Sequence, residues 1–290
     1  MERWQEIKYS WRNPIVLLVI LLMILNWGIE AIKWRLLLLP IEKISLRTSF
    51  KAVLAGCSIT MLTPNRIGEF GGRILFLKNI HRLKAISISI LGSISQLFIT
   101  FLFGTIGLIY FKVKEQSFLN SFSTGMINII FILSLIGIVL LLICYFNFPF
   151  LSKFISKLPF WKKKIAELAF IEKYSTNVLV KVLLLSFFRY LVFIFQYILI
   201  LKITHIEIKW DLCFWLLSIF YLIMALAPTI GFTEFPIRAK AISLLIGIYS
   251  GNFLGVQFAT LGIWIINLVL PAIFGSIFII RTKIIKDEHA

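Results

Sequence analysis

Two glutamate–arginine pairs with the same spacing lie 165 residues apart in this chain. Glu69 precedes Arg73 by four residues, and Glu234 precedes Arg238 by four residues. On a helix, i,i+4 spacing places the two side chains on one face, where they can neutralise each other. Each pair interrupts an apolar segment. Charged interruptions at corresponding places in two hydrophobic halves are typical of a transporter's binding site near the membrane midplane.

Each pair follows a proline that should break its helix. Pro64 precedes the first pair and Pro228 precedes the second. A helix that restarts inside a membrane exposes unpaired backbone N–H groups, which attract an anion. Glycines near the two breaks should let the backbone or a ligand approach closely. These glycines are Gly68, Gly71, Gly72 and Gly231.

Charges inside apolar segments are stable when they are paired or when they face a wet cavity, so the two motifs predict a polar cavity between the halves. In the functional interpretation, Arg66, Arg73 and Arg238 bind an anionic headgroup, and Glu69 and Glu234 orient it or act as a gate. In the structural interpretation, each glutamate–arginine pair is a latch that holds a broken helix together.

A second set of polar residues occurs on the helices that precede the breaks. Asn26, Glu30 and Lys33 are spaced i, i+4 and i+7, and Arg189 and Gln196 form a comparable stripe in the second half. The two stripes occupy corresponding places relative to the two break prolines. We expect Glu30 and Arg189 to line the same cavity, whereas Lys33 lies near a helix end and has snorkelling as an alternative.

The composition indicates an integral membrane protein. Apolar residues make up 60% of the chain, charged residues 15%, and the mean hydropathy is +0.96. The net charge of +17 comes from Lys and Arg clusters between apolar runs, which excludes a basic soluble domain for nucleic acid. No HExxH, GxSxG or P-loop pattern occurs, so no catalytic residue, metal site or cofactor is predicted.

Five apolar segments are long enough to cross the ~30 Å hydrocarbon core as helices. They are residues 14–39, 85–111, 124–148, 179–203 and 253–280. Two further regions, 46–78 and 211–248, each fit a helical pair broken near its middle. Each pair should leave the membrane on the side it entered, as a re-entrant hairpin or as two short spans.

The distribution of positive charge predicts the topology. In this arrangement one face collects 19 of the 30 Lys and Arg residues, which places that face and the C-terminus in the cytoplasm and the N-terminus outside. The two motifs then enter from opposite faces, as in an inverted repeat. The single membrane domain, 1–290, divides into a first repeat, a linking span with an amphipathic connector, a second repeat and a C-terminal tail. Their approximate limits are 14–111, 112–178, 179–281 and 282–290.

One further glycine pattern has two interpretations. Gly247, Gly251 and Gly255 have the spacing that permits close packing of membrane helices. The intervening Ser250 and Asn252 equally suit a loop. Both interpretations stay open at the level of the sequence.

Over essentially its whole length, the chain resembles the lysylphosphatidylglycerol synthase transmembrane family, the flippase-like domain. The resemblance lies in Trp34-Arg35 at a helix end, Ser45-Leu46-Arg47 at the next helix entry, Gly56, and Pro64-Asn65-Arg66-Ile67-Gly68-Glu69 followed by Arg73. The second break, up to Arg238, is similar to a looser family motif. The resemblance implies movement of a lipid between leaflets. The chain has no soluble aminoacyl-transfer domain, so we do not expect lysyl transfer.

These observations together predict an all-α, polytopic protein of the cytoplasmic membrane that works without a cofactor. It would bind an anionic phospholipid or a polyprenyl-linked lipid between two inverted halves and move it across the bilayer. Two other hypotheses are a non-transporting scaffold of a cell-envelope complex and a membrane-embedded lipid-modifying enzyme. Homo-oligomers or envelope-biogenesis partners fit any of the three.

Overall fold

The structure is a computed structural model that describes residues 13–63, 68–77, 82–147, 174–227 and 234–287. It is all-helical: helices contain 84% of the described residues, and no strand occurs among them. The predicted amphipathic connector, residues 150–173, lies outside the described residues. So do Pro64, Arg66, Pro228 and Gly231.

Within these ranges the chain forms eleven α-helices and one π-helix. In chain order they are α1 (Ile15–Leu38), α2 (Leu46–Thr60), α3 (Gly68–Ile74), α4 (Arg82–Lys114), α5 (Gln116–Leu119), α6 (Thr124–Phe146), α7 (Thr176–Ile203), α8 (Trp210–Leu226), α9 (Glu234–Ile246), α10 (Phe253–Trp264), the π-helix (Ile265–Val269) and α11 (Leu270–Asp287).

The five predicted spans are present in the described part of the chain. Helices α1, α4, α6 and α7 are each long and apolar enough to cross a membrane, and α10, the π-helix and α11 together make the fifth. Helix α6 is exposed on almost all sides, with 11% of its most apolar window buried. An apolar helix with so little protein around it suits a lipid-facing position.

Both broken regions contain the predicted helical pair. Helices α2 and α3 lie in the first region, and α8 and α9 lie in the second. Helix α2 begins where Ser45 accepts a 3.0 Å hydrogen bond from the backbone N–H of Thr48, as an N-cap does. The described part of helix α9 starts with Glu234. The re-entrant or spanning character of the pairs stays a prediction.

The two halves pack against each other in a reciprocal manner. The first helix of each half, α1 and α7, pack together. Helix α2 of the first broken pair packs on α11, the last helix of the second half. Helix α8 of the second broken pair packs on α4, the last long helix of the first half. Each half therefore completes the core of the other.

Glycines bring α2 and α3 into backbone contact. A methyl group added at Gly72 would lie 2.5 Å from the carbonyl oxygen of Ala55, and one added at Gly68 would lie 2.6 Å from that of Ile59. The predicted close approach is therefore confirmed at Gly68 and Gly72. At Gly71 no atom lies within 4 Å of the added methyl group, so the backbone contact does not include this residue, and approach of a ligand there stays a prediction.

The glycine pattern in the second half forms a loop. Helix α9 ends at Ile246, so Gly247 and Gly251 lie in the connection to α10. Gly255 lies in the first turn of α10, where its N–H donates a 3.0 Å hydrogen bond to Oδ1 of the N-cap residue Asn252. The helix-packing interpretation is wrong for Gly247 and Gly251, because they lie in a turn. At Gly255 a close contact does occur, since an added methyl group would lie 2.6 Å from the carbonyl oxygen of Thr204 at the end of α7.

The α2–α3 contact predicts opposite effects for two adjacent glycines. Gly72→Ala should destabilise the protein by about 1–3 kcal/mol, because the methyl group forces the two helices apart. Gly71→Ala should be neutral or stabilise it by up to about 1 kcal/mol, because Ala is the better helix former. Thermal unfolding of both variants in detergent measures the difference. Equal unfolding temperatures would contradict the described packing.

Candidate functional site

A buried carboxylate on α1 brings together cations from three helices. Glu30 is 4% exposed. Its Oε2 lies 2.7 Å from Nζ of Lys33 and 3.3 Å from Nη1 of Arg189, and its Oε1 lies 2.8 Å from Nη2 of Arg73. The three cations come from α1, α7 and α3. Glu30 therefore joins both halves of the protein through one side chain.

Arg73 is held between two carboxylates. Its Nη2 pairs with Oε1 of Glu69, so the predicted i,i+4 pair forms on α3, and the same nitrogen pairs with Glu30 on α1. The Arg73 side chain is 2% exposed, and its guanidinium lies 5.9 Å from the ring centroid of Trp34. These contacts are those expected of a latch between α1 and α3.

The polar stripes of the two halves contact each other. Arg189 donates a 2.9 Å hydrogen bond from Nε to Oδ1 of Asn26 and a 3.4 Å bond from Nη1 to Oε1 of Gln96. Its guanidinium also lies over the rings of Trp27 and Phe193, at 5.3 and 5.1 Å. Aromatic faces on this scale stabilise a cation by attraction to the ring quadrupole. Arg189 is thus fixed from α1, α4 and α7.

Lys33 is buried and does not snorkel. Its side chain is 1% exposed, and besides Glu30 it donates to the carbonyl oxygen of Gly92 at 3.1 Å and to Oγ of Ser186 at 3.4 Å. The snorkelling alternative is therefore wrong. Helices α4 and α7 cover this end of α1, and the sequence of α1 alone does not show that cover.

The second predicted pair also forms. Arg238 approaches Oε1 of Glu234 with Nη2 at 2.5 Å and with Nε at 2.7 Å. The Glu234 side chain is 5% exposed and that of Arg238 is 14% exposed. The Arg238 guanidinium lies 5.8 Å from the ring centroid of Phe220 on α8. The arginine of this pair is therefore more exposed to solvent than Arg73 of the first pair.

A cavity of about 450 Å³ lies between the halves and collects most of the predicted site residues. Among the described residues, its charged lining comes from α1, α3, α7 and α9. These residues are Glu30, Lys33, Glu69, Arg189, Glu234 and Arg238. Arg73 does not belong to the lining. The structure thus brings residues of both motifs and of both stripes to one place. Asn26 and Gln196 do not line the cavity: Asn26 accepts from Arg189, and Gln196 donates to the carbonyl oxygen of Val19.

Several lining residues lie outside the motifs found in the sequence. Helix α4 contributes Gln96 and Thr100 among apolar side chains, and α8 contributes Tyr221 and Met224. Gln96 and Thr100 are polar residues within an apolar span, one helical turn apart, which was the available signal. Cys57 of α2 also lines the cavity and is buried, as expected of a small core residue.

The charges of this site favour an anion. Across the described residues of the cavity and the Arg73 latch, three carboxylates face four cations, which gives a net charge of +1. Among those residues no group of three or more His, Cys, Asp and Glu side chains is placed to hold a metal ion. An anionic group with a hydrogen-bonding surface, such as a phosphate, suits the Arg189 and Arg238 guanidinium groups.

Comparison with known proteins identifies the family. Residues 2–233 match the family described as "Lysylphosphatidylglycerol synthase TM region". The match includes the first motif and ends immediately before Glu234, so the second glutamate–arginine pair lies beyond it. No curated protein and no solved structure matches the chain significantly. Because the match covers most of the chain, this protein belongs to the lysylphosphatidylglycerol synthase transmembrane-region family.

Proposed function

We propose that this protein binds the headgroup of an anionic phospholipid or a polyprenyl-linked lipid in the cavity between its halves and moves the lipid across the cytoplasmic membrane. The observation that carries the proposal is the cavity itself, which gathers charged side chains from both halves inside an apolar helical bundle. Membership of a membrane family related to lipid metabolism supports a lipid as the substrate.

Arg189 and Arg238 are the cations that we assign to the headgroup phosphate. Both line the cavity. They come from α7 and α9, which both pack on α8 and α10, and α7 also packs on α1 and α4 of the first half. Glu69 and Glu234 line the same space and would orient the headgroup or close the site. Arg66 stays a candidate from the sequence, and Arg73 takes the role of a latch.

The reciprocal packing supports a transport cycle based on two inverted halves. In such proteins one repeat rocks against the other around a fixed site near the midplane. Here each broken pair packs on the last span of the opposite half, and α1 and α7 meet at the cavity. An N-terminus outside and a C-terminus in the cytoplasm complete the proposed arrangement.

A non-transporting membrane scaffold is the second candidate. The Arg73 latch favours it, because a cation held by two carboxylates and 2% exposed contributes to architecture and offers little surface to a ligand. In a scaffold the Glu234–Arg238 pair would be a second latch. The two candidates differ in what happens when that pair is removed as a unit.

The double variant Glu234→Gln with Arg238→Gln separates these candidates. It removes both charges of the pair together, so neither of the two is left buried without the other and the fold should persist. We expect translocation of a fluorescent anionic phospholipid in proteoliposomes to fall at least about tenfold, which corresponds to about 1.4 kcal/mol of lost interaction. Thermal unfolding of the purified variant checks its stability.

Lys240→Gln is the matched control for this double variant. Lys240 is exposed, lies two residues beyond Arg238 on the same helix and is not part of the cavity lining. It should translocate lipid at the wild-type rate. A folded double variant that also keeps the wild-type rate would support the scaffold candidate and contradict the assignment of Arg238.

Glu30→Gln should instead act on stability. It removes the carboxylate shared by Lys33, Arg73 and Arg189, and breaking a buried ion pair from one side costs about 3–5 kcal/mol. The change should therefore lower the unfolding temperature strongly. Glu207→Gln, at an exposed glutamate, serves as the control and should have little effect. Equal unfolding temperatures for the two variants would show that Glu30 does not join the halves.

A further inference from the structure

The fifth span changes its helical pattern near its middle. Helix α10 continues into the π-helix Ile265–Val269, where the backbone N–H of Leu270 bonds to the carbonyl oxygen of Ile265, five residues earlier. Pro271 follows directly after Leu270. A proline inside a helix lacks the N–H that the residue four positions earlier would accept, and its ring meets the carbonyl group of that residue. Prolines and π-helices are both points at which helices bend, and this span has both between Ile265 and Pro271.

Beyond this point, α11 packs on α2 of the first half. Oγ of Ser58 on α2 donates a 2.5 Å hydrogen bond to the carbonyl oxygen of Ala272. A methyl group added at Gly275 would lie 2.0 Å from the carbonyl oxygen of Leu54, so the two backbones are in contact. Since α2 also packs closely on α3, these three helices form one unit, which we call the α2 group.

Before this point, α10 packs on other helices, α7 and α9. Thr260 of α10 shares a 2.9 Å hydrogen bond with the hydroxyl group of Tyr197 on α7. Gln257 of α10 donates a 2.7 Å hydrogen bond to Oγ of Ser243 on α9. We call α7, α9 and α10 the α7 group. One span therefore belongs to two groups of helices, and the π-helix lies where they join.

The junction contains buried polar atoms that the described packing leaves unsatisfied. Asn267 of the π-helix is 9% exposed. Within the described part of the chain, neither its Oδ1 nor its Nδ2 has a hydrogen-bond partner, and the same holds for the buried indole N–H of Trp264, one residue before the π-helix. A buried polar group without a partner costs free energy that a partner would recover. A different bend that supplies partners would therefore be favoured at this point.

The corresponding span of the first half has no such junction. Helix α4 is a continuous α-helix of 33 residues, Arg82–Lys114, and its sequence contains no proline. The interruption therefore belongs to the second half alone. Because α11 packs on the first half, the unit that can move at this interruption is the α2 group, which contains helices from both repeats.

The junction also borders the cavity. Leu268 of the π-helix belongs to its lining. Glu69 lines the cavity from the α2 group, whereas Arg189, Glu234 and Arg238 line it from the α7 group. A change of the bend would therefore alter the separation between Glu69 and the two arginines that we assign to the headgroup phosphate.

We infer that the π-helix is a hinge at which the α2 group moves relative to the α7 group, so that the bend of the fifth span sets the width of the cavity. Arg189 and Arg238 stay together in the α7 group during this motion, and Glu69 approaches or leaves them. The part of the hinge in transport rests on the proposed function. The motion itself can be measured without lipid transport.

Two substitutions of Pro271 test the hinge. Pro271→Ala restores the backbone N–H with the best helix former, so it should make the span straighter and stiffer. Pro271→Gly restores the same N–H but leaves the backbone flexible. Both variants lose the same ring, so their difference isolates the flexibility of the junction. Thermal unfolding in detergent checks that both proteins fold.

Pulsed electron paramagnetic resonance in nanodiscs measures the motion. Nitroxides are attached to genetically encoded p-acetylphenylalanine in place of Ile280 on α11 and Leu244 on α9, two exposed residues, so the native cysteines stay. About 16 Å of helix separates Val269 from Ile280, so a bend of about 20° moves the label on α11 by about 6 Å. Wild type and Pro271→Gly should therefore give a distance distribution about 6 Å wider than that of Pro271→Ala.

The control pair carries its labels at Leu184 of α7 and Leu244 of α9, both exposed and both within the α7 group. Its distance distribution should have the same width in the wild type and in both Pro271 variants. A change in this pair equal to that of the pair across the hinge would show a general loosening of the bundle and would overturn the hinge.

Translocation of a fluorescent anionic phospholipid in proteoliposomes measures the part of the hinge in transport. Because a conformational step of this kind can limit turnover, Pro271→Ala should be slower by at least about tenfold, whereas Pro271→Gly should stay within about twofold of wild type. Equal distributions across the hinge in all three proteins would overturn the hinge. A narrowed distribution with wild-type translocation would overturn its part in transport. Absence of translocation by the wild type would contradict the proposed function, and the distance measurement would still decide the hinge.

Discussion

A carboxylate inside an apolar helical bundle is stable only when cations surround it, and Glu30 imposes that condition on this protein. Removing a charge from water costs several kcal/mol, which good ion-pair geometry has to offset. Glu30 meets this requirement with Lys33 from its own helix, Arg73 from α3 and Arg189 from α7. Because those helices belong to different halves, satisfying one side chain also sets the relative positions of the halves.

The same cluster divides its cations between architecture and binding. Arg73 is enclosed by Glu30 and Glu69, so its charge is used to hold α3 against α1. Arg189 contacts Glu30 at a longer distance and also lines the cavity. A phosphate arriving beside Arg189 would compete with part of an existing network. Binding would therefore be coupled to the contact between the halves, which is what a transporter needs.

Local features of this structure were predictable from the sequence, and long-range ones were not. The five spans and the two i,i+4 pairs depend on residues close in sequence, so periodicity and spacing were sufficient. The Arg73–Glu30 pair joins residues 43 positions apart, and it was missed because nothing local distinguishes Glu30 from another stripe residue. Lys33 was ambiguous for the same reason, since its cover comes from α4 and α7.

The glycines illustrate the same limit at finer scale. Gly71 and Gly72 are adjacent and identical in type, yet only Gly72 faces Ala55. Which face of a short helix is buried depends on the helix that packs against it. The sequence around the break does not show which helix that is. Likewise, the spacing of Gly247, Gly251 and Gly255 suited a packed helix, but α9 ends before the pattern does.

The most direct test of the account is an experimental structure by cryo-electron microscopy of the protein in nanodiscs that contain an anionic phospholipid. The account predicts lipid density inside the cavity, with the phosphate at hydrogen-bond distance, about 3 Å, from the guanidinium of Arg189 or Arg238. Lipid density confined to the outer surface of the bundle, with the charged cavity filled by protein side chains, would contradict it.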